Sequence, residues 1–196
     1  MIYYNNKMPI YLLRHERRFS SPKFFSSLTG KGIDNSELLV DKIKNLDIDI
    51  IFCSPFLRTV QTVYPYLADT GEKINIEYAL YEAVKQDTFT KEDYLHDYTE
   101  LYDINSCFKT VINHNYKSFL DKNSIDFPED LSKIYSRIVP FIENLKKDYK
   151  EKNVLLVTHM TSALVIREYL LNNKKLESDK DPTGDLFPMG FIQKVN

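Results

Sequence analysis

The sequence predicts an α/β chain: a three-layer α/β/α sandwich with a mostly parallel central sheet and a small helical cap inserted in it. Residues 10–13, 154–157 and, within the predicted strand 48–53, residues 50–53 are short runs that are apolar throughout rather than alternating. Such runs suit strands covered on both faces, as in a parallel sheet. Stretches with apolar residues at helical spacing separate them, and that alternation is the pattern of a layered α/β domain. The third observation is a polar, tyrosine-rich stretch, residues 87–126, that follows neither period and reads as the cap.

Residues 10–13 form the first predicted strand, and Gly30 and Gly32 are expected to break the loop after it. Leu38, Leu39, Ile43 and Leu46 then fall on one helical face, which predicts a helix over 33–46. Residues 48–53 give the second strand. Ser54-Pro55 is a helix start, since serine can cap and proline suits a first turn. That helix is expected to stop near Tyr64, because Pro65 would remove a backbone donor from its interior. Residues 74–78 alternate as a short strand. Leu131, Ile134, Ile138, Phe141, Ile142 and Leu145 give residues 128–147 an apolar helical side, with Pro140 expected to kink or interrupt it. Residues 154–157 form the third buried strand and 162–171 its following helix. A loop rich in Asp, Pro and Gly over 179–185 leads to a last strand within 190–195.

The 196 residues suffice for one domain with a sizeable core, the cap included. A net charge of −2 gives no general attraction to nucleic acid or anionic membrane. Cys53 and Cys107 are too few and too far apart for a disulfide framework or a zinc site. No apolar run approaches the roughly 18 residues of a membrane span. Residues 1–8 lack the basic-then-apolar pattern of a secretion signal, so the expected location is cytoplasmic. The sequence sets no oligomeric state.

Arg14-His15, Arg58 and His159 each lie just past a predicted strand. In an open α/β sheet those positions line the active crevice. Two imidazoles and two guanidiniums gathered there suit a phosphoryl dianion. Neutral imidazole is a competent nucleophile near pH 7, and His15 is the candidate. Arg14 and Arg58 would disfavour its protonation and bind phosphoryl oxygens with forked donors. His159 would donate a hydrogen bond to a phosphoryl oxygen. Glu82 follows the 74–78 strand and is the candidate acid for the leaving group. A carboxyl group enclosed by a cap can hold a proton that it would lose in water. Fixed cations do the neutralising, so no metal and no other cofactor is expected. The expected partner is a small phosphorylated substrate.

Leu13-Arg14-His15-Glu16 resembles the RHG signature of the histidine phosphatase superfamily, which includes the cofactor-dependent phosphoglycerate mutases. Leu28-Thr29-Gly30-Lys31-Gly32 is similar to its LTxxG stretch, and Cys53 to Thr62 to its SPLxRAxQTA segment. Val157-Thr158-His159 resembles its second histidine strand, and Leu80-Tyr81-Glu82 has the usual placement of its acid glutamate. These five segments stand in order across residues 10–170. The resemblance implies His15 as the phosphorylated residue, Arg14, Arg58 and His159 as the phosphate pocket, and Glu82 as proton donor. Ser21 falls where the mutase branch has an asparagine and is a further implied phosphate contact. Glu16 and Met160 stand where glycine is common in the family, and the tryptophan-and-glycine segment after the glutamate is absent. Arg17 and Arg18 read as surface charge before they read as an extension of the basic pocket towards a second acidic group on the substrate.

The expected function is therefore a metal-independent phosphatase that hydrolyses phosphomonoesters through a phosphohistidine on His15. A phosphoglycerate-mutase-like phosphotransferase is the alternative, and a phospholigand-binding module of the same fold without turnover is another. A cysteine phosphatase fits poorly. Cys53 to Arg58 is C-x4-R rather than C-x5-R, and Pro55 removes a donor that such a loop needs.

Overall fold

A computed structural model describes residues 8–178 and 185–196. Most of the predicted 179–185 loop, and all but Met8 of the N-terminal stretch, lie outside the described residues. Five strands form one sheet: β1 (Ile10–Arg14), β2 (Ile50–Cys53), β3 (Ile74–Ile76), β4 (Val154–Thr158) and β5 (Ile192–Lys194), in the order β3-β2-β4-β1-β5. The first four run parallel, and β5 closes the far edge antiparallel to β1. β1 and β4 are neighbours although 140 residues separate them in sequence. Leu13 pairs with Val157 and Arg14 with Thr158, so both strands end at one level. On the other side of β4, Cys53 pairs with Val157.

Successive strand residues point to opposite faces, and the core divides accordingly. Leu13, Ile51, Cys53, Leu155 and Val157 pack under α1 (Gly30–Glu37), α2 (Leu39–Lys44) and α3 (Leu57–Thr70). Ile10, Leu12, Phe52, Val154 and Leu156 pack under α7 (Leu131–Asp148) and α8 (Met160–Arg167). The result is the expected three-layer sandwich with a mostly parallel sheet.

Several element boundaries differ from the sequence reading. Gly30 and Gly32 do not break a loop; they form the first turn of α1, where Thr29 caps by accepting from the Gly32 amide. Gly32 is needed for close approach, since a Cβ there would overlap the Arg17 carbonyl. The helix expected over 33–46 is two helices that break at Leu38. α3 runs through Pro65 to Thr70 and ends on Gly71 in the left-handed region. A proline in a helix interior costs about 3 kcal/mol. Burying Tyr66 and Leu67 beyond it contributes roughly 1.5–3 kcal/mol each and outweighs that cost. α7 likewise continues through Pro140, which faces solvent. The carbonyl left without a partner there can turn to water. A π-helical turn (Glu168–Asn172) completes the helix after β4.

Within 87–126 the chain forms short pieces: α4 (Lys91–Tyr94), α5 (Leu101–Ile104), α6 (Phe108–Val111) and two 3-10 turns. Ile112 bridges Ile74, and the Asn113 amide donates to the Ile74 carbonyl at 2.8 Å, so this stretch covers the open edge of β3. α4 lies against the loop after β1, where Phe24 N donates to Asp93 O at 2.8 Å and Lys23 pairs with Asp93 at 2.7 Å. Among the described residues, no helix is long and apolar enough to cross a membrane.

Candidate active site

His15 follows β1, His159 follows β4 at the residue before α8, and Ser54 follows β2. The sheet register sets them side by side: His15 N donates to Thr158 O, and Ser54 N to Val157 O, both at 3.0 Å. Arg58 lies in the first turn of α3. Glu82 arrives from the 3-10 turn Tyr78–Leu80 that follows β3. Thr158 Oγ1 donates to Leu80 O at 2.7 Å and Ser162 Oγ to Tyr81 O at 2.6 Å, which ties that segment to β4 and α8. The structure thus brings His15, His159, Arg14, Arg58 and Glu82 together at the carboxyl ends of the parallel strands.

The tautomer of His15 follows from its neighbour. Its Nδ1 lies 2.7 Å from the Glu16 carbonyl oxygen, which only accepts, so Nδ1 carries the proton and Nε2 keeps its lone pair. The ring is 2% exposed. Burial first, then the charges of Arg58 and Arg14, hold its pKa well below the ordinary 6.5. His15 is therefore an uncharged imidazole at neutral pH. The His159 ring meets it edge-on, with centroids 5.3 Å apart. Burial and the Arg58 charge hold His159 well below its ordinary value as well. Its Nε2 lies 2.8 Å from Ser54 Oγ. A Ser54 hydroxyl that donates to Nε2 leaves the proton on Nδ1, which is buried, unpaired and 3.4 Å from Glu82 Oε2.

Arg58 has no exposed surface. Its guanidinium donates to the carbonyls of Pro22 and Lys23, each at 3.0 Å, and to Glu82 Oε2 at 3.2 Å, and it lies over the Phe56 ring. Phe56 also packs edge-on against His159, so one aromatic ring supports both groups. Burial pushes the Arg58 pKa down to about 10, with Glu82 opposing, and it remains a cation at neutral pH. Arg14 is oriented by the Phe187 carbonyl, to which Nη1 donates at 2.5 Å.

Two residues differ from the sequence reading. Arg18 is not simply surface charge. Its Nη1 donates to the carbonyls of Phe19, Ser20 and Ser21, and its charge lowers the pKa values of His15, His159 and Arg58. No periodicity marks it; what shows it is the hydrogen bonding of its guanidinium to the loop after β1. Ser21 is exposed, and its backbone carbonyl accepts from Arg18 Nη1 at 3.0 Å. Arg17 is exposed, as read.

Cys53 cannot serve as a thiolate, since burial raises its pKa to about 12. The donor atoms of His15, Glu82 and His159 lie within 4.8 Å of one another, close enough to share a metal ion. Arg14, Arg18 and Arg58 surround that point with positive charge, which favours an anion instead.

No curated protein matches the sequence. Among solved structures, the ecdysone phosphate phosphatase of Bombyx mori in complex with tungstate is similar at 16% identity and a TM-score of 0.64, over 95% of this chain and 88% of that one. A phosphoserine phosphatase mutant of Entamoeba histolytica in complex with phosphoserine is 16% identical, with a TM-score of 0.62 over 94% and 88%. The α-ribazole phosphatase of Shigella flexneri is 19% identical, with a TM-score of 0.57 over 84% and 80%. Likeness at these identities establishes the fold. The model of the histidine phosphatase superfamily (branch 1) matches residues 10–182, and this chain, with its two histidines on neighbouring strand ends, belongs to that superfamily.

Proposed function

We propose that this protein is a phosphomonoesterase that works through a phosphohistidine on His15. The observation that carries the reading is the His15 hydrogen bond to its neighbour's carbonyl, which presents a neutral Nε2 inside a ring of arginines. The phosphoryl group sits among Arg14, Arg18 and Arg58, with His159 Nδ1 donating to it. His15 Nε2 attacks phosphorus; the N–P bond forms, the ester P–O bond breaks, and the leaving oxygen takes the proton of Glu82. The Glu82 carboxylate then takes a proton from water. That water breaks the N–P bond, releases phosphate and restores neutral His15. The cations neutralise charge on the transferring oxygens throughout.

The similar structures include phosphatases named for ecdysone phosphate, phosphoserine and α-ribazole, which supports a small phosphorylated molecule as substrate. Both cysteines are free, which suits the cytoplasm.

Incubation with labelled phosphomonoester followed by an alkaline quench should trap acid-labile phosphate on the wild-type chain and none on His15→Ala. Retained turnover in His15→Ala would remove the mechanism. With 3-phosphoglycerate, free phosphate is the expected product. Formation of 2-phosphoglycerate instead would make the protein a phosphotransferase.

A further inference from the structure

Glu82 is delivered to the site by a backbone segment that has its own buried clasp. Arg137 on α7 and Glu129 just before it pair at 2.6 Å, with side chains 5% and 1% exposed. The pair is 8 residues apart in sequence and is bonded to the backbone of the Glu82 segment. Its hydrogen bonds converge on one stretch. Arg137 Nη1 donates to Ala79 O at 2.6 Å, and Nη2 to Tyr81 O at 3.2 Å and Glu82 O at 3.3 Å. Glu129 Oε2 accepts from the Val84 amide at 3.1 Å, and the Glu129 amide donates to Val84 O at 2.9 Å. Residues on both sides of Glu82, and Glu82 itself, are therefore bonded to one rigid ion pair.

A buried ion pair is a poor device for stability alone. Desolvating two charges costs several kcal/mol, and apolar replacements are often as stable or more so. What a guanidinium–carboxylate fork supplies is direction: planar donors and acceptors in fixed places. Here that direction is spent on irregular backbone. Residues 81–84 lie beyond the 3-10 turn and outside any strand or helix, so their own ladder cannot hold them. A carboxylate that must meet a leaving oxygen at hydrogen-bond distance tolerates little displacement.

We infer that Arg137 and Glu129 are positioning residues for Glu82, and that they govern proton delivery to the leaving group rather than phosphate binding. The inference rests on Glu82 as the proton donor. The Arg137 charge also contributes to keeping His159 unprotonated, so the clasp reaches two members of the site.

The test compares Arg137→Lys with the paired change Arg137→Gln and Glu129→Gln, which leaves no unpartnered buried charge. Substrates are glycerol phosphate, with a poor leaving group, and nitrophenyl phosphate, with a good one. The expected result for the paired variant is a loss of kcat at least tenfold larger on glycerol phosphate, with KM and inhibition by inorganic phosphate changed less than threefold. Arg137→Lys should restore part of the loss. Combined with Glu82→Gln, the paired change should add little further loss. Equal losses on the two substrates, or losses that multiply with Glu82→Gln, would make the clasp merely structural. Amide hydrogen exchange gives a reading free of turnover: the Val84 amide should exchange at least tenfold faster in the paired variant while β4 amides stay protected, and unchanged Val84 exchange overturns the inference. If the wild type hydrolyses neither ester, the proposed function fails, and the exchange result still decides whether the clasp holds the segment.

Discussion

Gly190 lies against the Glu16 carboxylate so closely that a Cβ on it would overlap Glu16 Oε1. The glycine expected after the first histidine is a glutamate here, and the space its side chain needs is supplied by a glycine 174 residues away. Glu16 stays 5% exposed, with Oε2 accepting from the Arg17 amide and from Asn35 on α1, while its own amide donates to Thr62. Gly190 has φ +69°, and its amide donates to the carbonyls of Arg14 and His15. The C-terminal turn therefore holds the loop that carries the nucleophile. Met160, at the other expected glycine, packs half-buried against the α7–α8 side of the core.

Gly190→Ala should destabilise the fold by roughly 1–3 kcal/mol, through the overlap and a left-handed backbone that alanine resists. The urea midpoint measures it. Adding Glu16→Gly should recover the overlap part and leave the backbone part. An unchanged midpoint in Gly190→Ala would mean that the contact between the two residues is not tight.

Arg18→Ala should weaken inhibition by inorganic phosphate roughly tenfold, the scale of one lost charge-assisted hydrogen bond. Arg17→Ala, which removes an exposed side chain, serves as the control and should leave it unchanged. Equal effects from both would mean that Arg18 acts only through general charge.

Glu82→Gln should slow hydrolysis of glycerol phosphate far more than that of nitrophenyl phosphate, whose leaving oxygen needs little protonation. A difference of about a hundredfold is within the usual range of general acid catalysis. The same loss on both esters would assign the proton to another group.

Stability should fall as pH drops below about 6.5. His15 and His159 are both held well below that value in the folded chain, and take up protons near it once unfolded. Between the folded and unfolded values the unfolded state binds more protons, so the contribution is complete above pH 6.5 and is lost on the acid side. Each histidine adds a slope of up to about 1.4 kcal/mol per pH unit. Urea unfolding between pH 7.5 and 5.5 would show it, and His15→Gln should remove its share. Stability that is flat over this range would mean that the histidines are not buried in uncharged form.

Strand ends were legible because their signal is local. A run such as Leu12-Leu13-Arg14-His15 states both its burial and the point where the chain leaves the sheet. The two prolines misled for a related reason: Pro65 and Pro140 have local costs, and only the packing beyond them shows that these costs are exceeded. Gly30 and Gly32 read as loop because glycine is a poor helix former, and the reason for Gly32, its close approach to Arg17, lies outside its sequence neighbourhood.

By itself the sequence determined the layered fold, the two histidines, Arg14 and Arg58, and Glu82 as the nearby carboxylate, since short-range periodicity and strand-end position encode all of these. Tertiary structure alone decided how they are held. The Gly190 seat for Glu16 and the hold of the Arg137–Glu129 clasp on the Glu82 segment arise from distant segments meeting, while the His15 tautomer and the Arg18 bonds to residues 19–21 depend on how the loop after β1 turns. Hydrogen-bond direction and steric room are properties of the folded backbone, and the periodicity of the sequence encodes neither.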